Sequence, residues 1–259
     1  MKTISVVLTV HNKENLIDQV VNSIFENMSA AVKEFIVVFD GCTDKSEQLF
    51  NFMMSQMNRP CVVTILHEPG VFEIKANNAG LKQVHCDYAC LIQDDMVIKE
   101  PEFDQRLLKP FQALPEVFAV TGRDACDLSI KNGRLSYDNM QGWSKASAKN
   151  KFYIRDIVNR GPLMFDTVRL KSLNYLDETL CPISHDDFDI CLKAYRERSW
   201  IAGAYWISYD SDKAWGTSRQ KSNPNRGYIN RALKRNELEI IKRYQDVIEG
   251  EKHSREIII

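Results

Sequence analysis

Residues 4–12 read ISVVLTVHN, and residues 35–41 read FIVVFDG. Each is a short run of mostly β-branched and aromatic apolar residues that stops abruptly at polar ones. Runs that are apolar at nearly every position suit strands covered on both faces. Between them Leu16, Ile17, Val20, Val21, Ile24, Phe25 and Met28 recur at helical spacing and form one apolar stripe. Asn12 is placed to cap that helix. The unit then repeats. A helix carrying Leu49, Phe50, Phe52 and Met53 starts behind Thr43 or Asp44. Strands are expected at 61–66, 88–92 and 117–121, and helices at 74–84 and 103–114. This alternation specifies an α/β fold, a mainly parallel, Rossmann-like central sheet flanked by helices.

The rest is less regular. Between 124 and 159 glycine, serine, asparagine and lysine are frequent, which predicts loops or an irregular insertion. Apolar order returns at 163–165. Residues 187–198 read as a helix and 200–207 as a strand. An amphipathic helix over 228–248 carries Ile229, Leu233, Ile240, Ile241, Tyr244 and Val247 on one side, a C-terminal helical extension.

A chain of 259 residues, 44% hydrophobic, can bury a sizeable core. Its net charge of -1 does not suggest a nucleic-acid partner. The seven cysteines are odd in number and include no C-x-x-C, so neither zinc spacing nor a disulfide framework is present. A reducing, cytoplasmic location is expected. No stretch approaches the roughly 18 apolar residues of a spanning helix. The expectation is a soluble protein, with peripheral membrane association left open.

Ligands of open α/β sheets bind beyond the carboxyl ends of the strands. Strand one ends at Thr9, Val10, His11 and Asn12, strand two at Asp40 and Gly41, strand four at Asp94 and Asp95. All three ends point to the same edge. Two adjacent carboxylates raise each other's pKa unless a cation screens them. Oxygen ligands of this kind suit magnesium or manganese, which commonly bridge carboxylates and substrate phosphates. No Walker lysine loop and no G-x-G-x-x-G after strand one is present, which argues against a P-loop nucleotidase and a Rossmann dehydrogenase.

The ordered set of motifs resembles the inverting glycosyltransferases of family 2, which have the GT-A fold. The segments are SVVLTVHNKENLIDQVVNSI (5–24), IVVFDGCTDKS (36–46), GVFEIKANNAGLKQVHCDYACLIQDDM (70–96), RGPLMFDTVRLKSLNYLDE (160–178) and SHDDFDICLKAY (184–195). The resemblance implies a nucleotide-sugar donor, most simply a UDP-sugar, bound with Mn2+ or Mg2+. It places Thr9, His11 and Asn12 in the nucleotide-contacting segment, where the imidazole of His11 can pack on the base. It makes Asp40 the partner of the base, Asn78 a residue near the donor, Asp95 the metal ligand and Asp187 the catalytic base. Phe39 stands where many relatives carry an acid, Cys42 replaces a serine, Gln93 the first acid of D-x-D, and Asp186 a glutamate. Metal ligation then rests mainly on Asp95, with Asp94 nearby. The acceptor implied is a glycan or a lipid-linked sugar, and the pathway polysaccharide or glycoconjugate synthesis.

The organisation expected is a glycosyltransferase domain over 1–210, with a donor half to about 123 and an acceptor-side half from about 124, then a basic lid and helix over 211–259. From Lys213 to Arg243 there are nine Lys or Arg residues and two acids. Arg219 or Lys221 is expected to neutralise the leaving diphosphate from a lid, and later arginines to touch an anionic acceptor or a membrane surface. A sugar-nucleotide nucleotidyltransferase would share the sheet and the metal. It would also show a glycine-rich basic loop near strand one, which is absent. A non-catalytic nucleotide-sugar binder would not need all of Asp40, Asp95 and Asp187.

Overall fold

The computed structural model describes residues 2–57, 60–142, 148–212, 214–216 and 223–259. The first half follows the predicted alternation. Strand β1 (Ile4–Val10) leads to α1 (Ile17–Asn27), β2 (Val32–Asp40), α2 (Ser46–Gln56), β3 (Val62–Glu68), α3 (Glu73–Leu81) and β4 (Tyr88–Gln93). A short β5 (Val97–Ile98), α4 (Phe103–Ala113) and β6 (Val117–Thr121) follow. Where these strands pair with one another they are parallel, β1 lying between β2 and β4 with β3 outside β2.

β1 shows why the run is continuous. Val6, Leu8 and Val10 pack on one side of the sheet with Ile17, Val20, Val21 and Ile24 of α1. Val7 points to the other side, with Ile74 and Leu81 of α3. Both faces are covered, so apolar residues stand at both parities of the strand.

Residues 124–159 are not the irregular insertion expected. They form β7 (Ala125–Lys131), β8 (Arg134–Gln141), β9 (Lys151–Arg155) and β10 (Ile157–Val158). β7 and β8 make an antiparallel hairpin in which Lys131 faces Arg134. Asn132 (φ 53°) and Gly133 (φ 72°) turn it. Positive φ at both central residues is the hairpin turn that Asn-Gly favours, so the signal was in the sequence. The polar, exposed outer half of β8 hid it.

Next come β11 (Leu163–Asp166), α5 (Thr167–Ser172), α6 (Asp186–Arg198), β12 (Ile201–Ala204), β13 (Tyr209–Asp210), α7 (Arg226–Ile248) and β14 (Arg255–Ile258). The central sheet runs β14-β9-β12-β6-β11-β4-β1-β2-β3. β11 is antiparallel to both β4 and β6, and β9 is antiparallel to both β12 and β14. The edge strand β14 was not foreseen. Helix α7 packs against α6 and the β7–β8 hairpin. No helix among the described residues is long and apolar enough to cross a membrane.

The turn after β2 brings two backbones together. Gly41 has φ 59°, and a Cβ there would lie 2.9 Å from the Cα and N of Gly70. The left-handed backbone costs an L-residue about 1–2 kcal/mol, and the clash adds to it. Gly41→Ala is therefore expected to destabilise the protein by about 2 kcal/mol or more, measured as a shift in the urea midpoint at constant slope. A shift near zero would show that Gly70 yields freely.

Candidate active site

The carboxyl ends of β1, β2 and β4 meet as predicted, and hydrogen bonds tie them together. The His11 backbone N donates to Asp94 Oδ2 at 2.9 Å. His11 Nδ1 lies 2.6 Å from the Asp40 carbonyl oxygen. A carbonyl only accepts, so Nδ1 carries the hydrogen and the exposed ring is fixed in that tautomer. Asp40 is buried, and its Oδ1 accepts from the Val71 backbone N at 2.6 Å. Gly41 packing on Gly70 makes that bond reachable. Thr9 Oγ1 donates to Asn77 Oδ1 at 2.9 Å.

Asn12 is not the helix cap expected of it. Helix α1 begins after Leu16 with no side-chain cap. Asn12 Oδ1 instead accepts from the Thr43 backbone N at 2.8 Å, joining the loops after β1 and β2. Its own backbone is left-handed (φ 51°).

The two adjacent aspartates have different surroundings. Asp94 lies 3.4 Å from Nζ of Lys13, a lysine that is only 6% exposed and that also donates to the Trp215 carbonyl. Burial pushes the Asp94 carboxyl up to about 6, against the pull of Lys13. Asp95 is half-buried and has no hydrogen bond or ion pair among the described residues. It is the carboxylate left available to a cation. No group of three or more His, Cys, Asp or Glu side chains suited to a metal occurs among the described residues. An ion at Asp95 would need most of its ligands from a substrate, as Mg2+ and Mn2+ at phosphates commonly do. The residues fit such an ion.

Gln93 explains its own departure from an acid. Its Nε2 donates to Glu73 Oε1 at 2.8 Å. A carboxylate at 93 would repel Glu73 instead. Glu73 Oε1 in turn lies 3.4 Å from Nη1 of Arg160, which also donates to Asp186 Oδ2 at 2.9 Å. The Arg160 backbone N donates to Asp187 Oδ2 at 3.2 Å. A continuous polar chain therefore links the end of β4 to the first turn of α6. Arg160 is 6% exposed and Asp186 fully buried. Burial opposes the charge on Arg160, yet Asp186, Glu73 and Asp187 together hold its pKa above the ordinary guanidinium value. Burial pushes Asp186 up to about 7, against the pull of Arg160. Asp187 keeps slight exposure, at the helix N-terminus where backbone dipoles favour negative charge.

Asn78 is not brought to these groups. Its Nδ2 donates to the Leu176 carbonyl at 2.9 Å and to Glu178 Oε1 at 3.0 Å, and its Oδ1 accepts from Leu176 N. It borders a polar cavity of about 490 Å³ with Lys82, Lys193, Arg243 and Tyr244, which includes none of the three principal aspartates. Arg219 and Lys221 lie outside the described residues. Two cations of α7 reach groups on neighbouring segments. Arg235 donates to the Cys181 carbonyl at 2.5 Å, and Arg243 reaches Asp177 and Asp189. Arg226, Arg231, Lys234 and Lys242 are exposed. Sequence reasoning missed Lys13, Glu73 and Arg160. Nothing in their spacing marks them, because each gains its role from a partner on another element.

The chain belongs to Glycosyl transferase family 2, whose profile matches residues 5–171. Its fold is the GT-A fold of known glycosyltransferases. GalNAc-T7, solved with UDP, GalNAc and Mn2+, has a TM-score of 0.70 at 13% identity, over 96% of this chain and 50% of that one. The mannosyltransferase PcManGT of Pyrobaculum calidifontis, solved with GDP-Man and Mn2+, has 0.59 at 15% identity, over 96% and 76%. TarS of S. aureus, residues 1–349 with UDP-GlcNAc, has 0.53 at 18% identity, over 78% and 55%. This chain spans 36% of the longer S. aureus TarS chain that it also matches. No curated protein matches the sequence.

Proposed function

We propose that the protein transfers a glycosyl group from a nucleoside diphosphate sugar, most simply a UDP-sugar, to an acceptor hydroxyl with inversion at the sugar carbon. The observation that carries this reading is the polar chain Gln93–Glu73–Arg160–Asp187. It joins the strand ends that would hold the donor to a carboxylate suited to act as base. The ligands of the similar structures, UDP, UDP-GlcNAc and GDP-Man, support a donor of this class.

In this reading Asp40 accepts from the nucleobase, His11 packs on it, and Thr9 and Asn12 shape the nucleotide pocket. Asp95 would hold Mn2+ or Mg2+, which would supply positive charge opposite the departing diphosphate. Asp94, paired with Lys13, fixes the loop that presents Asp95. Asp187 takes the proton of the acceptor hydroxyl as its oxygen bonds to the anomeric carbon. The bond from that carbon to the diphosphate oxygen breaks, and the electron pair leaves with the nucleotide. Residues 1–123 form the donor half, 124–210 the acceptor-side half and 211–259 the lid and helix. Arg219 and Lys221 are assigned the neutralisation of the leaving diphosphate's charge. The acceptor is a glycan or a lipid-linked sugar in polysaccharide or glycoconjugate synthesis.

Incubation with Mn2+, a panel of nucleotide sugars and simple glycan acceptors tests the proposal. Free nucleoside diphosphate is expected with one donor, and chelation by EDTA should abolish it. Release of pyrophosphate instead would mark a nucleotidyltransferase. Binding of donors with no release under any condition would mark a non-catalytic module.

A further inference from the structure

Asp186 and Asp187 follow an unusual turn. Ser184 (φ 74°) and His185 (φ 67°) are consecutive non-glycine residues with left-handed backbone. This backbone disfavours L-residues and persists only where the surroundings enforce it. The His185 ring packs edge-on against Phe188, and its buried Nδ1 makes no hydrogen bond that would hold the turn. The enforcement comes from α7. Asn236, fully buried, points its Nδ2 at the carbonyls of Leu180, Ile183 and Ser184, at 2.6, 3.1 and 3.0 Å. Its Oδ1 is oriented by Arg235 Nη2 at 2.9 Å, and the same nitrogen donates to the Cys181 carbonyl. The next residue, Glu237, accepts from Arg134 Nε at 2.9 Å and from the Leu135 backbone N at 3.0 Å, which clips α7 to the β7–β8 hairpin. One amide, set on a helix fixed at its far side, therefore gathers the carbonyls of the whole segment before the catalytic helix.

We infer that Asn236 is a positioning residue for the base. It holds the Ser184–His185 turn left-handed so that Asp187 meets the acceptor hydroxyl at a fixed distance. The inference rests on the reading of Asp187 as the base. It predicts that the C-terminal helix governs turnover without touching donor or acceptor.

The test uses the full chain carrying Asn236→Ala. Amide hydrogen exchange over 183–189 is expected to quicken about tenfold, the loss of one or two buried hydrogen bonds, while β1 and β4 keep their protection. Turnover is expected to fall by about 10- to 100-fold, with calorimetric affinity for UDP and Mn2+ unchanged. Adding Ser184→Gly, which accepts the left-handed backbone freely, should restore part of the rate. Should Asn236→Ala not fold, Arg235→Ala on the exposed side of α7 is expected to give the same pattern at smaller size. Unchanged exchange at 183–189, or a fall in UDP affinity equal to the fall in rate, would overturn the inference. Failure of the base reading looks different. Asp187→Asn would then keep full turnover, whatever exchange shows for Asn236→Ala.

Discussion

Asp187→Asn is expected to lower turnover by about 10²- to 10⁴-fold, the usual contribution of a general base. The substitution is isosteric. Asp187 Oδ2 accepts from the Arg160 backbone N, and an amide oxygen can accept the same bond. Packing at the first turn of α6 is thus kept, and what disappears is the ability to take a proton. Affinity for UDP with Mn2+ should not change, because the donor groups sit on β1, β2 and β4. The informative control is Asp186→Asn. Asp186 is fully buried against Arg160, so it cannot reach an acceptor, and its loss should register mainly in stability. If Asp186→Asn abolished turnover while Asp187→Asn left it intact, the base would be Asp186 and the assignment made here would fall.

Arg160→Met should have the largest effect on stability. The guanidinium lies among Glu73, Asp186 and Asp187 and is almost wholly buried. Removing one partner of a buried ion pair leaves uncompensated charge, at about 3–5 kcal/mol. Unfolding in urea should show a loss of about that size at pH 8. The pH dependence has a definite sign. In the unfolded chain Asp186 loses its proton near its ordinary value of 3.8, whereas in the fold it keeps it to about 7. The folded state therefore binds the extra proton across that window, and the contribution of this group to stability falls as pH rises from about 4 to about 7. Arg160 limits that fall by favouring the carboxylate. In Arg160→Met the decline should extend to higher pH. A variant as stable as the parent at pH 8 would show that Arg160 does not offset the burial of these acids.

Legibility in the sequence followed burial. Strands β1, β2 and β4 are covered on both faces, so their apolar runs are continuous and end where the site begins. The β7–β8 hairpin has one solvated face, and its polar residues outweighed the Asn132-Gly133 turn. Asn12 carries the residue type of a cap, but a loop from another strand competes for its oxygen and wins. The excess of cations in α7 suggested an outward-facing charge. Arg235 and Arg243 instead serve a carbonyl before α6 and a carboxylate on it.

The sequence alone determined the α/β sheet, the edge at which its polar residues collect, and the family. Local periodicity and strand-end composition are properties of short stretches, and they survive without knowledge of neighbours. The tertiary structure decided which carboxylates are free and which are engaged. Asp94 is paired with Lys13 while Asp95 has no partner among the described residues, and Asp186 is fully buried against Arg160 while Asp187, also beside Arg160, is 6% exposed. Adjacent residues of identical type differ in this way because burial and charge pairing are set by side chains arriving from distant parts of the chain.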